Sequence, residues 1–380
     1  MSQDTLITHF SYKRVVPPKK RPKCKMALEV KHILVIRFRR VGDSVLSMAL
    51  CHGLRQTFPA AQIDFVVNEG IHTLYEHHPD VDRCVVFSSD DNQKFGRYIK
   101  KVWQTVHQTR YDIIIDMRST VRTLLFSLFS RFRTPFRIGK KKWYGRLVLS
   151  HSVNNYAPGT GSRVEQNNLL LQPLSSIATL KPSDDFRLYA SDDDVKRYRR
   201  LMEDSGIDFT RPVVIATPTA RLEYKVLPSE TMKAVLRRII DELDAQIIFN
   251  FAGKERDIAL RYHHEMGDDR HIFTNIEAPT LPDLCALMKN CDYFFGNEGG
   301  PRHISQALGL PSFAIFPPGI DKGIWLPCEG ERFAGISPDD FMPRSEQESK
   351  HLTYQERMSL LTEERICDRL LPVIKHYCKS

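Results

Sequence analysis

No aspartate or glutamate occurs between Met117 and Val164, although that stretch carries Arg118, Arg122, Arg131, Arg133, Arg137, Lys140, Lys141, Lys142, Arg146 and Arg163. The missing counter-charge concentrates much of the chain's net charge of +9 in one block. A second basic run, from Lys13 to Lys25, lies near the N-terminus. Such a field favours a phosphate-rich partner: nucleic acid, an anionic membrane surface or a phosphorylated glycolipid. Other absences are equally selective. The eight cysteines include no CxxC pair, so neither a disulfide framework nor a zinc pattern is expected. No apolar run approaches the ~20 residues of a membrane-spanning helix. "MSQDTLITHFSYKRVVPPKKRPKCK" lacks the apolar core of a signal peptide. The expectation is a cytoplasmic protein, able to sit peripherally at the inner face of a membrane. GxGxxG and GxxxxGK[ST] are both missing, which removes the main support for an ordinary NAD site or P-loop.

What the chain does contain is alternation. "HILVIRF" (32–38), "QIDFVV" (62–67), "RCVVF" (83–87) and "YDIIID" (111–116) read as buried strands. Stretches 44–57, 69–77 and 95–109 between them read as helices. The pattern restarts with strands at 212–217, 245–252, 271–275, 292–297 and 311–316, and helices near 228–241, 254–264, 280–289 and 301–309. Near-continuous apolar strands separated by helices predict parallel α/β sheets. A chain of 380 residues exceeds one usual domain. The expected division is a basic extension (1–30), a first Rossmann-like domain (31–185), a second (186–350) and a closing C-terminal helix (351–380).

Ligands of open parallel sheets bind at the carboxyl ends of the strands, which selects four loops. In "RFRRVGDSV", Asp43 follows a glycine turn and is flanked by Arg37, Arg39 and Arg40. It either caps a helix or serves as a general base facing a cleft. "TPTARLEYKVLP" offers Thr219 and the mobile ammonium of Lys225. In "FNFAGKERD", Glu255 suits ribose hydroxyls or complements a helix dipole. "GNEGGPRHISQAL" combines Glu298, Gly299, Gly300, Pro301 and His303, a set suited to an anion at a helix N-terminus with sugar hydroxyls opposite.

These residues carry a resemblance. "VGDSVLSMALCHGLRQTFPAAQIDFVV" and "GNEGGPRHISQALGLPSFAIFPP" resemble the two signatures of glycosyltransferase family 9, the lipopolysaccharide core heptosyltransferases. "PTARLEYKVLP" and "AGKE" are similar to its lysine loop and its Gly-x-x-Glu segment, and the motifs run in order from about Lys31 to about Pro327. Three features depart from the pattern: Glu298 replaces the usual Asp, Gly299 the usual Thr or Ser, and "KVLP" lacks the tryptophan common shortly after the family's lysine.

The resemblance implies a GT-B fold, with the acceptor on the first domain and an ADP-activated sugar on the second. It implies inverting transfer without metal or other cofactor. Asp43 matches the catalytic base, Lys225 the lysine facing the departing diphosphate, and Glu255 the ribose-binding acid. Thr219, Glu298, Gly299, Gly300 and His303 complete the donor site. Arg39, Arg40, Arg118 and Arg122 would meet a phosphorylated glycolipid acceptor, and the basic block an anionic membrane surface. No nucleic acid is expected. The alternatives are a GT-B enzyme with another nucleotide-sugar and acceptor, or a non-catalytic protein that binds nucleic acid or membrane through the basic block.

Overall fold

A computed structural model describes residues 29–38, 40–220 and 225–378. Arg39 and the basic extension before residue 29 lie outside the described residues. The first half forms a six-stranded sheet from β1 (His32–Ile36), β2 (Gln62–Asn68), β3 (Arg83–Phe87), β4 (Ile113–Asp116), β5 (Phe136–Lys140) and β6 (His151–Val153). Its order is β3-β2-β1-β4-β5-β6, parallel throughout. The second half repeats this with β7 (Val213–Thr217), β8 (Gln246–Phe249), β9 (Ile272–Phe273), β10 (Tyr293–Asn297), β11 (Ser312–Ile315) and β12 (Phe333–Ile336). Here the order is β12-β11-β10-β7-β8-β9. Each sheet reverses its winding once, between β1 and β4 and between β7 and β10, and such points open a crevice at the carboxyl ends.

The strands form because their apolar runs can be buried on both faces. Ile33 and Val35 enter one cluster with Val45, Leu50 and Leu54, while Leu34 and Ile36 enter another with Tyr98, Val102 and Val106. The helix Phe95–Gln108 turns Tyr98, Val102, Thr105 and Val106 inward at helical spacing. Each such fully buried side chain stabilises by roughly 1.5–3 kcal/mol. The first of these clusters crosses between the halves, joining Ile33 and Leu50 to Ile215, Phe294 and Ile304. The two sheets therefore share part of one core. On the far side of the second sheet, the helix Glu363–Tyr377 lays Ile366, Leu370 and Ile374 against Met232, Leu236 and Ile239 of the helix Ser229–Leu243.

Several expected elements change. Residues 44–57 form two helices, Val41–Val45 and Met48–Thr57, and 69–77 contains only a short turn at His72–Leu74. The closing segment 353–377 is also two helices, Tyr354–Met358 and Glu363–Tyr377, because Thr362 caps a fresh start by accepting from Arg365 N at 3.3 Å. β5, β6 and β12 were not apparent from their sequences. They are short, at or near sheet edges, and only β12 ("FAGI") is mainly apolar; β5 reads "FRIGK" and β6 "HSV".

Candidate active site

β1 delivers Arg37 directly to the mouth of the first crevice. Arg37 is buried, donates from Nη1 to the Met117 carbonyl at 3.2 Å, and forms a short ion pair with Asp43 through Nη2. Between them the chain turns through Arg40, whose φ of 37° lies in the left-handed region. The helix Val41–Val45 then starts without a side-chain cap. Asp43 is therefore not a capping residue: its carboxylate leaves the helix to meet Arg37. Arg40 is exposed beside it.

Lys140, at the carboxyl end of β5, is buried rather than part of an exposed basic face. Its amino group donates to the Tyr156 hydroxyl, lies 4.0 Å from that ring, and feels the charges of Arg37, Arg163, Asp43 and Asp116. Burial, and then the cations Arg37 and Arg163, pull its pKa down to about 6. The sequence placed Lys140 with its exposed neighbours. The rule that strand ends face ligands would have singled it out had β5 been recognised.

Arg118 and Arg122 line a cavity of about 680 Å³ over the ends of β1 to β4, together with Asn68, Glu69, Asn92 and Tyr98. Arg122 donates to the Asn92 carbonyl at 2.7 Å and lies 4.2 Å from the Tyr98 ring. The cavity thus combines cations, amides and aromatic walls, the mixture that polar, charged ligands require.

On the opposite wall Asn297, at the end of β10, ties together the segment that follows β7. Its Nδ2 donates to the carbonyls of Thr217 (3.2 Å) and Pro218 (3.0 Å), and its Oδ1 accepts from Leu227 N at 3.0 Å. Thr219 is held against Glu255, hydroxyl to carboxylate, at 3.0 Å. Lys225 Nζ stands 3.8 Å from Glu298 Oε2, and His303 Nε2 lies 3.4 Å from Glu298 Oε1. Arg302, fully buried, lies against the His303 ring, one nitrogen of which can accept from it, and donates to Gln306 and to the Trp325 carbonyl. Burial and the Arg302 charge push the His303 imidazole down to about 4, so it is neutral near pH 7. Burial would raise the Glu298 carboxyl, but its bond to His303 and the charges of Arg302 and Lys225 hold it well below the usual range.

Two predictions arise from this wall. Gly296 has φ 155°, and a Cβ there would lie 2.1 Å from Thr217 Oγ1 and under 3 Å from Thr217 backbone. Gly296→Ala is expected to destabilise the fold by about 1–3 kcal/mol, read from the denaturant midpoint. The second concerns pH. His303 has a folded pKa below its unfolded 6.5, so the unfolded state takes up a proton first. Its contribution is intact above pH 6.5 and is lost as pH falls toward 4, on the order of 3 kcal/mol in all. A His303→Gln variant should show a flatter stability profile across that window.

The walls touch. A Cβ on Gly42 would fall 2.3 Å from His303 Cδ2, and one on Gly300 would fall 3.2 Å from Val41 Cβ. Gly299, with φ 176°, is merely extended. The Arg163 guanidinium lies 4.9 Å from the Tyr156 ring and 4.6 Å from Trp325, bridging first half to second. Asp43, Lys225, Glu298 and His303 thus converge on one cleft. Arg118 and Arg122 border the adjoining cavity, and Thr219–Glu255 forms a separate pair on the second wall. Among the described residues, no group of three or more His, Cys, Asp or Glu could hold a metal ion.

Two doubly wound parallel sheets facing each other across such a cleft constitute the GT-B fold of nucleotide-sugar enzymes. The chain belongs to glycosyltransferase family 9 (heptosyltransferase), whose model matches residues 99–329, and it is accordingly a glycosyltransferase. It is 24% identical over 293 residues to lipopolysaccharide heptosyltransferase 3 of Escherichia coli (strain K12), covering 75% of this chain and 82% of that protein. In three dimensions it is similar to the glycosyl transferase family 9 protein of Veillonella parvula DSM 2008, with a TM-score of 0.77, 17% identity, and 92% and 99% of the two chains covered. It is also similar to E. coli ADP-heptose lps heptosyltransferase II, with a TM-score of 0.68, 18% identity, and 91% and 99% covered.

Proposed function

We propose that this glycosyltransferase moves a heptose or related sugar from an ADP-activated donor to a lipopolysaccharide core-type acceptor, with inversion and without a metal ion. The observation that carries this reading is the approach of the Gly42–Asp43 turn of the first half to His303, within the Lys225–Glu298–His303 group of the second. The names of the relatives, one of them an ADP-heptose enzyme, supply the sugar and the core.

Asp43 takes the proton of the acceptor hydroxyl as its oxygen bonds to the anomeric carbon, and the bond from that carbon to the diphosphate breaks on the opposite face. Arg37 fixes the carboxylate's direction. Lys225 and the N–H groups at Gly299 and Gly300 receive the negative charge that develops on the leaving diphosphate, the task a divalent ion performs elsewhere. Glu255, held by Thr219, meets the ribose. His303 is already engaged by Arg302 and Glu298, so it aligns Glu298 toward the donor sugar. The cavity bordered by Arg118 and Arg122 holds the acceptor, and Arg40 lies at its approach. Domain closure over the cleft limits donor hydrolysis by water.

The test is thermal stability against ADP-heptose and against UDP- and GDP-sugars, with Lys225→Ala alongside. A rise with ADP-heptose that the variant loses supports donor and diphosphate site together, and excess EDTA should leave the transfer rate unchanged. A second reading, another nucleotide-sugar, is favoured by one observation: Glu298 and Gly299 replace the family's usual Asp and Thr or Ser beside the donor sugar. A rise with UDP- or GDP-sugar alone would establish it.

A further inference from the structure

The cavity over the ends of β1 to β4 carries a charge that phosphate recognition does not explain. Arg118 and Arg122 line it, and so does Glu69, the residue that follows β2. A phosphate held by the arginines is repelled by that carboxylate, so a wall built for anions alone would be better with a neutral residue there. Glu69 does little for the fold. Its side chain accepts one long bond, from Ser89 N at 3.4 Å. The helix Ser89–Gln93 is already capped by Ser88, and Asp90 and Asp91 occupy its first turn. Among the described residues no cation pairs with Glu69.

Its place on the wall is nonetheless fixed. Glu69 N donates to the Phe87 carbonyl at 2.9 Å, and Gly70 turns the chain with φ 82°. Arg122 is tied to the same wall. Its guanidinium donates to the Asn92 carbonyl at 2.7 Å, Asn92 Nδ2 donates to Asn68 Oδ1 at 3.3 Å, and Glu69 is next along the chain. Arg122 lies against the rings of Phe95 and Tyr98, and among the described residues it pairs with no carboxylate. A cation and a carboxylate therefore line one cavity, two hydrogen bonds apart, without neutralising each other.

We infer that this cavity takes a zwitterionic group, with a phosphate at Arg118 and Arg122 and an ammonium a few ångströms away at Glu69. A purely anionic ligand would be opposed by Glu69, and a neutral sugar would leave the arginines unused. A group of both signs satisfies the whole wall. Two sources share that chemistry: a phosphoethanolamine substituent and an amino-sugar phosphate. On the reading of the cavity as the acceptor site, on which this assignment rests for its biological ligand, the acceptor carries the group.

The experiment is phosphorus NMR titration of the full chain with two matched pairs of probes. One pair is O-phosphoethanolamine and 2-hydroxyethyl phosphate; the other is glucosamine 6-phosphate and glucose 6-phosphate. Wild type is expected to prefer the ammonium-bearing member of a pair by about fivefold, the upper range for a solvent-facing ion pair. The pair that shows the preference identifies the source. Glu69→Gln should abolish the preference without weakening the probe that lacks an ammonium, and Glu69→Lys should reverse it. Both variants should melt with wild type, since the side chain's one bond is long. Arg122→Gln should weaken every probe. Equal affinity within both pairs, a preference that survives Glu69→Gln, binding indifferent to Arg122→Gln, or no binding of any probe overturns the inference. Inhibition of transfer is read separately. A preferred probe that binds through Glu69 yet leaves transfer unimpeded would move the acceptor elsewhere and leave the zwitterion site standing.

Discussion

Replacing Asp43 with asparagine is expected to lower kcat by about 10²- to 10⁴-fold, the range that a positioned general base contributes. The side chains are nearly the same size, and the amide oxygen can still accept from Arg37, so the turn from β1 into the helix Val41–Val45 should persist. The cost to the fold is the exchange of a charge-assisted bond for a neutral one. It should amount to about 1–2 kcal/mol, since Arg37 is buried and keeps its second bond to the Met117 carbonyl. Donor binding should be unaffected, because Lys225, Glu255 and Glu298 lie on the opposite wall. The diagnostic combination is therefore an unchanged thermal shift with nucleotide-sugar and a collapsed rate. Asp43→Asn retaining more than a tenth of the wild-type rate would remove Asp43 from the role of base. A rate lost together with donor protection would place it in the donor site instead.

Why Asp43 was legible in the sequence, and other residues were not, has a physical basis. Asp43, Lys225, Glu255 and Glu298 all follow strands with strong apolar signals, "HILVIRF", "PVVIAT", "AQIIFNFA" and "DYFFGN". A long buried strand announces its carboxyl end, and the end announces the loop. What sequence alone left open at Asp43, cap or base, depended on where a carboxylate points, and only the pairing with Arg37 settles that it does not cap. Lys140 is the opposite case. β5 begins after Pro135 and carries Arg137 and Lys140 in five residues, so local composition argued for solvent. Tertiary pairing between β4 and β6 overrides it. The contacts that join the walls, Gly42 with His303 and Arg163 with Trp325, link residues more than a hundred positions apart. No local pattern encodes them.

Lys140→Met is expected to make the protein more stable and less active. An amine with a folded pKa near 6 and an unfolded value of 10.5 is held without its proton at neutral pH, while the unfolded chain keeps it. The lysine's drag on stability is therefore greatest below pH 6 and fades as pH rises from 6 toward 10.5. Methionine fills similar space without that cost. At pH 7 the gain should be on the order of 2 kcal/mol after the lost bond to Tyr156 is set against it, enough to raise Tm by several degrees. The gain should shrink as the measurement moves toward pH 10, a dependence that simple repacking would not produce. Function is the reason to expect a loss of rate. A lysine kept in a buried site among Arg37 and Arg163, near Asp43, opposes stability, and such groups concentrate where a charge or proton is handled. The transfer rate should fall about tenfold or more, with its pH profile altered between pH 5 and 7. If instead Lys140→Met melts lower and transfers at the wild-type rate, the lysine is a structural tie to Tyr156.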